Sequence, residues 1–226
     1  MLEDKIIGFD ITDEDLEWAV EKALKVDFID NLRERATFVK LDSKIRGYLG
    51  EICTSRFLTT NGIKILGTDQ YQSEDNEDKD ILVQNNFREI ILEIKTSLIP
   101  DVWKTLDEVL KRADIKIIRR ETDYHEIRAD FHLQIYFNQY RKRRDDFLRS
   151  ISGSPHDYSL SEIIDVMKLR TLRQVFVAWM SKPDLIAFLD EQAVKTWHYK
   201  LREFWRCPIS ISKEPALLID AIKTYR

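Results

Sequence analysis

The hydrophobic and polar positions of this chain change period from segment to segment. The clearest alternation is "ADFHLQIYF" (129–137). Phe131, Leu133, Ile135 and Phe137 form one face, and Asp130, His132, Gln134 and Tyr136 form the other, which predicts a half-buried strand. "TDEDLEWAVEKALKV" (12–26) has Thr12 as N-cap and acids in its first turn, where they oppose the helix dipole. "SKIRGYLGEICTSRFLTT" (43–60) reads as a second helix stopped by Asn61-Gly62. "IKIL" (63–66) is a short strand, and the acidic "GTDQYQSEDNEDK" is a loop. "DILV" (80–83), a turn at "QNN" (84–86) and "REIILEIKTS" (88–97) predict a hairpin.

Beyond Pro100, residues 101–113 read as a helix and "DIKII" (114–118) as a short strand. "LSEIIDVMKL" (160–169) is a helix, "RQVFVAWM" (173–180) a strand, and "SKPDLIAFLDE" (181–191) a helix with Ser181 and Asp184 as its capping pair and Pro183 near its start. "YKLREFWRCPI" (199–209) reads as a strand, and the tail from Lys213 as helical. With few glycines and prolines and no linker or repeat, the expected organisation is one domain, 1–226, of α/β or α+β class around one sheet.

Composition narrows the function classes. Of 226 residues, 43% are hydrophobic, enough for a core, and the net charge of −4 gives no global pull on nucleic acid. Any such binding must come from local basic patches. Two distant cysteines, Cys53 and Cys207, make neither a disulfide scaffold nor a CxxC zinc motif. With no signal-like N-terminus and no long apolar run, the expected setting is the cytoplasm, without membrane association. There is no GxxxxGK[ST] loop, so no nucleotide cofactor is expected. The four histidines show no metalloprotease or deaminase spacing and read as structural or surface residues, and the five tryptophans sit in apolar elements that favour core packing.

One stretch breaks the apolar pattern. In "ILEIKTS" (91–97), Glu93 and Lys95 point to one face of a strand, with Leu92 and Ile94 on the other. A buried charge is costly unless it is paired or bound to a metal. The hairpin puts Asp80 at the mouth of the preceding strand, about 4.8 Å from its partner. Asp80 and Glu93 can then converge, and two close carboxylates repel unless a cation lies between them. Hard oxygen ligands with open water positions suit Mg²⁺, with the backbone carbonyl of Ile94 as a candidate third ligand. Lys95 beside the metal can hold an attacking water or stabilise charge on a phosphorane. Acid-x-Lys alone is weak evidence, since the chain holds five such triplets. The one at Glu93 stands apart because it lies in a long apolar strand behind an acid-headed strand. The plain alternative is an exposed ion pair on a solvated face.

The helix before the hairpin carries Glu51 in "GYLGEICTS". Gly47 and Gly50 each cost a helix interior about 1 kcal/mol relative to Ala, which points to close approach of another backbone or a ligand. The expectation is that this helix packs near the hairpin and that Glu51 reaches the metal directly or through water.

Glu51 on a helix, then "DILV" from Asp80, then "LEIKT" with Glu93 and Lys95, then a helix and "ADFHLQIYF", resembles the PD-(D/E)xK nuclease superfamily, in the style of type II restriction endonucleases. The resemblance covers about residues 43–137. It implies a restriction endonuclease-like core, a mixed four-stranded sheet flanked by helices, with residues 138–226 adding strands and helices for DNA contact or dimerisation. It implies metal ligation by Asp80 and Glu93, catalysis by Lys95, and a supporting acid at Glu51. Gln134 and His132 would then face the site from the neighbouring strand, Gln134 either supporting the ligands or lying on the phosphate side. Lys79 replaces the proline that usually precedes the aspartate, which leaves Asp78 and Asp75 as alternatives to Asp80.

"YRKRRDDFLR" (140–149) offers Arg141, Lys142, Arg143 and Arg144 as candidate phosphate contacts, against the plain reading of a solvated helix face. The expected function is a Mg²⁺-dependent endonuclease, with Mn²⁺ as substitute, cutting double-stranded DNA at a specific sequence as a homodimer. The alternatives are a structure-specific repair or recombination nuclease, and a non-catalytic nucleic-acid-binding module that keeps the fold.

Overall fold

The computed structural model describes residues 5–25, 36–68, 80–103, 105–199 and 201–226. In chain order the elements are β1 (Ile7–Phe9), α1 (Asp13–Lys25), α2 (Thr37–Thr60), β2 (Lys64–Thr68), β3 (Ile81–Gln84), β4 (Glu89–Ile99), α3 (Leu106–Arg112) and β5 (Ile117–Ile118). They continue with β6 (Phe131–Tyr140), α4 (Arg141–Arg149), α5 (Leu160–Val166), β7 (Gln174–Ser181), α6 (Lys182–Glu191), β8 (Thr196–Tyr199), β9 (Arg202–Trp205) and α7 (Leu218–Thr224). The class is mixed α/β.

The main sheet has six strands in the order β1-β7-β6-β4-β3-β2, not the four expected from the sequence. The difference comes from the two ends of the chain. Ile7–Phe9 and the apolar run 174–181 pair with each other and extend the sheet past β6. Of its pairings, β4 with β6 is parallel and the rest are antiparallel. A second, three-stranded sheet has the order β5-β9-β8.

Strand alternation divides the main sheet into two faces. Ile90, Leu92 and Ile94 of β4 join Phe131, Leu133 and Ile135 of β6 in a cluster with Cys53 and Leu58 of α2 and Leu218 and Ile222 of α7. On this face α2 lies directly on β4. A Cβ at Gly50 would collide with Cγ2 of Thr96 and come within 3.6 Å of Cγ2 of Ile94, so only glycine lets the helix this close. Gly47, read from sequence as a second close approach, would have nothing within 4 Å of a Cβ.

The opposite face of β4 and β6 is covered by the small sheet, α3 and α6, through Tyr136, Ile117, Trp205, Leu185 and Val109. This cover explains why β6 is buried on both faces and not half-buried. Its polar row, His132 and Gln134, lies inside the protein and must be hydrogen-bonded there.

Local capping follows the sequence where the caps are strong. Thr12 and Asp15 exchange hydrogen bonds at the start of α1, Ser181 Oγ accepts from Asp184 N, and Gly62 takes φ +78° just past α2. Two expected elements change. The helix read over 101–113 begins only at Leu106, because Thr105 supplies the N-cap by accepting from Glu108 N. The strand read over 199–209 is instead the second half of a hairpin, closed by Trp197 stacked on Phe204 at 4.6 Å.

Candidate active site

The β3–β4 ladder pairs Ile81 with Leu92, which sets Asp80 opposite Glu93 just where β3 begins. There the Asp80 carboxylate continues the ladder by accepting the backbone N–H of Ile94. The N–H and C=O of one strand residue point to the same side. The Ile94 carbonyl therefore faces the same end of β3 as Asp80. Asp78 and Asp75 lie outside the described residues.

Glu93 is only 3% exposed, and three groups grip it. Lys95 Nζ lies 2.8 Å from Oε1, an Arg120 Nη1–H donates to the same oxygen at 3.1 Å, and His132 Nδ1 lies 2.7 Å from Oε2. Burial pushes the Glu93 carboxyl up, but Lys95 and His132 more than offset it, and the group ionises well below the ordinary 4.5. An ionised carboxylate only accepts, so His132 Nδ1 carries the proton and donates it to Oε2.

Lys95 shows the reciprocal effect. Burial alone would lower its pKa, but Glu93 and then Asp80 raise it above the ordinary 10.5. It is an ammonium at neutral pH, suited to neutralising charge and orienting a lone pair, not to removing a proton.

The neighbouring strand holds this pair from behind. In the β4–β6 register, Glu93 faces His132 and Lys95 faces Gln134. Gln134 is fully buried, and its amide donates to the Lys95 carbonyl at 2.9 Å while its oxygen accepts from Lys116 N at 3.2 Å. It fixes the backbone of Lys95 and has no face toward a substrate. Lys116 Nζ donates to Ser97 Oγ at 2.8 Å and continues the buried polar row.

Of the residues singled out from sequence, the structure thus brings together Asp80, Glu93, Lys95, His132 and Gln134. Glu51 is buried on α2, whose Gly50 packs on the face of β4 opposite to Glu93. The basic segment lies apart from them. Ile99 pairs with Tyr140 and Glu93 with His132, so α4 starts about eight residues, or roughly 26 Å, farther along β6. Arg144 is buried, donating to Asp42 and to the Met167 carbonyl, so it is not available to a phosphate. Arg141 and Lys142 stay near the surface, with Arg141 over the Tyr199 ring and Asp101 accepting the Lys142 backbone N–H.

Arg120 also touches Glu93 directly. It follows the two-residue strand β5, and only the packing of the small sheet on the main sheet carries it there.

No family profile, curated protein or solved structure matches this chain.

Two carboxylates beside a lysine ammonium do not make a metal cage. Among the described residues no group of three or more His, Cys, Asp and Glu side chains is arranged to hold a metal ion. The donor set suits a cation that takes one or two carboxylates and completes its shell with waters and phosphate oxygens, as Mg²⁺ does. No helix among the described residues is long and apolar enough to cross a membrane.

Proposed function

We propose that this protein is a Mg²⁺-dependent endonuclease that hydrolyses DNA phosphodiester bonds. The observation that carries the reading is the convergence of Asp80, Glu93 and Lys95 at the start of β3, where the first two are positioned by the hairpin register and the third by alternation along β4. Asp80 and Glu93, with the Ile94 carbonyl, are the groups that would hold the cation. A Mg²⁺ bound there supplies Lewis-acid polarisation of the phosphate. Lys95, kept protonated, orients the attacking water and offsets charge growing on the phosphoryl oxygens. His132 fixes the angle of Glu93, and Gln134 fixes the backbone of Lys95. A restriction role at a symmetric site calls for two copies of the chain, one per strand. The Arg141–Arg143 segment then serves as a distant backbone contact.

A second reading has its own support. Both oxygens of Glu93 are engaged by protein groups, as expected of a structural ion cluster in a module that binds nucleic acid without cutting it. Incubation of the purified protein with plasmid, junction and flap DNA in Mg²⁺ or Mn²⁺ separates the readings. Cleavage abolished by EDTA and by Lys95→Ala supports a nuclease, with discrete plasmid fragments pointing to sequence recognition and junction-only cutting to repair. Binding of DNA with no cleavage of any substrate would overturn the catalytic reading.

A further inference from the structure

The hairpin of the small sheet spans the distance between Glu93 and α4. Residues directly opposite in an antiparallel pair share a face, and neighbours along a strand alternate. Ile118 and Trp197 both lie opposite Phe204, and Tyr199 lies opposite Arg202. These five side chains therefore form one face of the small sheet. Glu203 and Trp205 lie on the other face, where both hold Arg119. Arg120, the next residue, points the opposite way and meets Glu93. From β5 to β8 is two strand spacings, about 10 Å. At the far end, Arg141 of α4 lies 5.2 Å from the centre of the Tyr199 ring and donates to its hydroxyl at 2.7 Å. One sheet face thus links the cation site to the basic segment, with the long Arg120 and Arg141 side chains completing the span.

The tip of this hairpin has the chemistry of an anion-binding surface. Arg141 and Arg202 both stand beside Tyr199, and like charges so placed repel unless an anion joins them. Among the described residues Lys142, Arg143 and Arg202 have no ion pair or side-chain hydrogen bond, and Arg141 hydrogen-bonds only a neutral hydroxyl. Of the acids at hand, Asp101 is engaged by the Lys142 backbone N–H, and Glu203 is turned to the far face with Arg119. Leu201, at the turn, is 79% exposed. β5 pairs only with Phe204 and Trp205, so the tip projects beyond it as a two-stranded ribbon, stiffened by Trp197 stacked on Phe204. A ribbon of that width fits the major groove of duplex DNA.

We propose that the β8–β9 hairpin is a DNA-contacting arm. Leu201 enters the groove at the tip, while Arg141, Lys142, Arg143 and Arg202 hold the phosphates on either side. DNA advances about 3.4 Å per nucleotide along each strand, so the span of roughly 26 Å from Glu93 puts these contacts about eight nucleotides from the cut. The inference rests on the nuclease reading for its partner, a DNA duplex.

The test is fluorescence anisotropy of a labelled DNA duplex titrated with the intact protein in EDTA, so that binding is read without cleavage. Wild type is compared with R141Q/R202Q, R141K/R202K, L201A and K25Q, the last removing an exposed charge from α1. Thermal unfolding of each variant checks that it is folded. R141Q/R202Q should bind more weakly and lower the salt slope by about two. Its deficit should shrink by about tenfold between 50 and 200 mM salt, as expected for two lost phosphate contacts. R141K/R202K should keep the wild-type slope, which a merely structural role of the two arginines does not require. L201A should weaken binding with the slope unchanged. Wild-type affinity and slope in R141Q/R202Q, or an equal loss in K25Q, overturn the arm, and wild-type affinity in L201A overturns its entry into the groove, while DNA binding by wild type leaves the nuclease reading standing. No DNA binding by wild type even at low salt overturns the arm and the nuclease reading together.

Discussion

Two buried carboxylates in this protein are surrounded by cations, yet they differ in what is left over. Asp42 on α2 is 1% exposed and is held by Arg46 at 2.8 Å and by Arg144 at 2.6 Å. Arg144 is itself 2% exposed and spends its remaining capacity on the Met167 carbonyl. The cluster is closed and joins α2, α4 and the end of α5. Glu93 has three partners, but Lys95 and Arg120 reach water, His132 keeps a buried ring nitrogen without a hydrogen-bond partner among the described residues, and Asp80 stands opposite. A depressed carboxyl pKa marks both sites, as burial raises each group and the neighbouring cations overcome it. The shift therefore does not mark function. Access and unspent hydrogen-bonding capacity separate a structural joint from a candidate site.

The comparison breaks most sharply by mutation at each centre. Lys95→Ala and Glu93→Gln should lower DNA cleavage by roughly 10³-fold, the scale of losing a group that stabilises transition-state charge. Glu51→Gln, across the sheet, should cost less than about tenfold in the same assay. If all three lose activity equally, Glu51 belongs to the site and the two faces of β4 work together.

Arg144→Ala should act on stability instead. It strands Asp42 with half its partners, and breaking a buried pair costs about 3–5 kcal/mol, measurable by urea denaturation. DNA affinity per folded molecule should stay the same. A stable, DNA-binding-deficient R144A would mean that Arg144 contacts phosphate after all.

Acid sensitivity follows from both carboxylates. Each has a folded pKa below its unfolded value, 3.8 for Asp42 and 4.5 for Glu93. Below those values the unfolded state binds more protons, so stability rises with pH there. The contribution is full above about pH 5 and is lost as pH falls through 4 and below. D42N should flatten the acid limb of a stability–pH curve. An unchanged limb in D42N would show that the Asp42 joint carries no pH-dependent stability.

Gly50→Ala tests the packing that holds the two faces apart. The added methyl meets Thr96, and overpacking of this kind costs about 1–3 kcal/mol, with β4 displaced. The smallest effect should come from neutralising Arg141, Lys142 and Arg143 together. That triple change should weaken DNA binding and lower the salt slope by up to about three, with the cleavage step itself unaltered.

What could be read from the chain alone is what local chemistry writes into it. The hairpin of Asp80 and Glu93–Lys95, the helix around Gly50 and the alternation of β6 depend on side-chain period, turn residues and caps, all of which act over a few residues. These were enough to bring Asp80, Glu93, Lys95 and His132 toward one face. Tertiary structure decided the rest. The strand count rose to six because 7–9 and 174–181 pair across the length of the chain. Arg120 reached Glu93 because a small sheet docks on a large one, and Arg144 turned inward because Asp42 waited on another helix. Each of these is a contact between residues far apart in sequence, whose energy depends on burial and on which charges end up together. Neither quantity has a local signature.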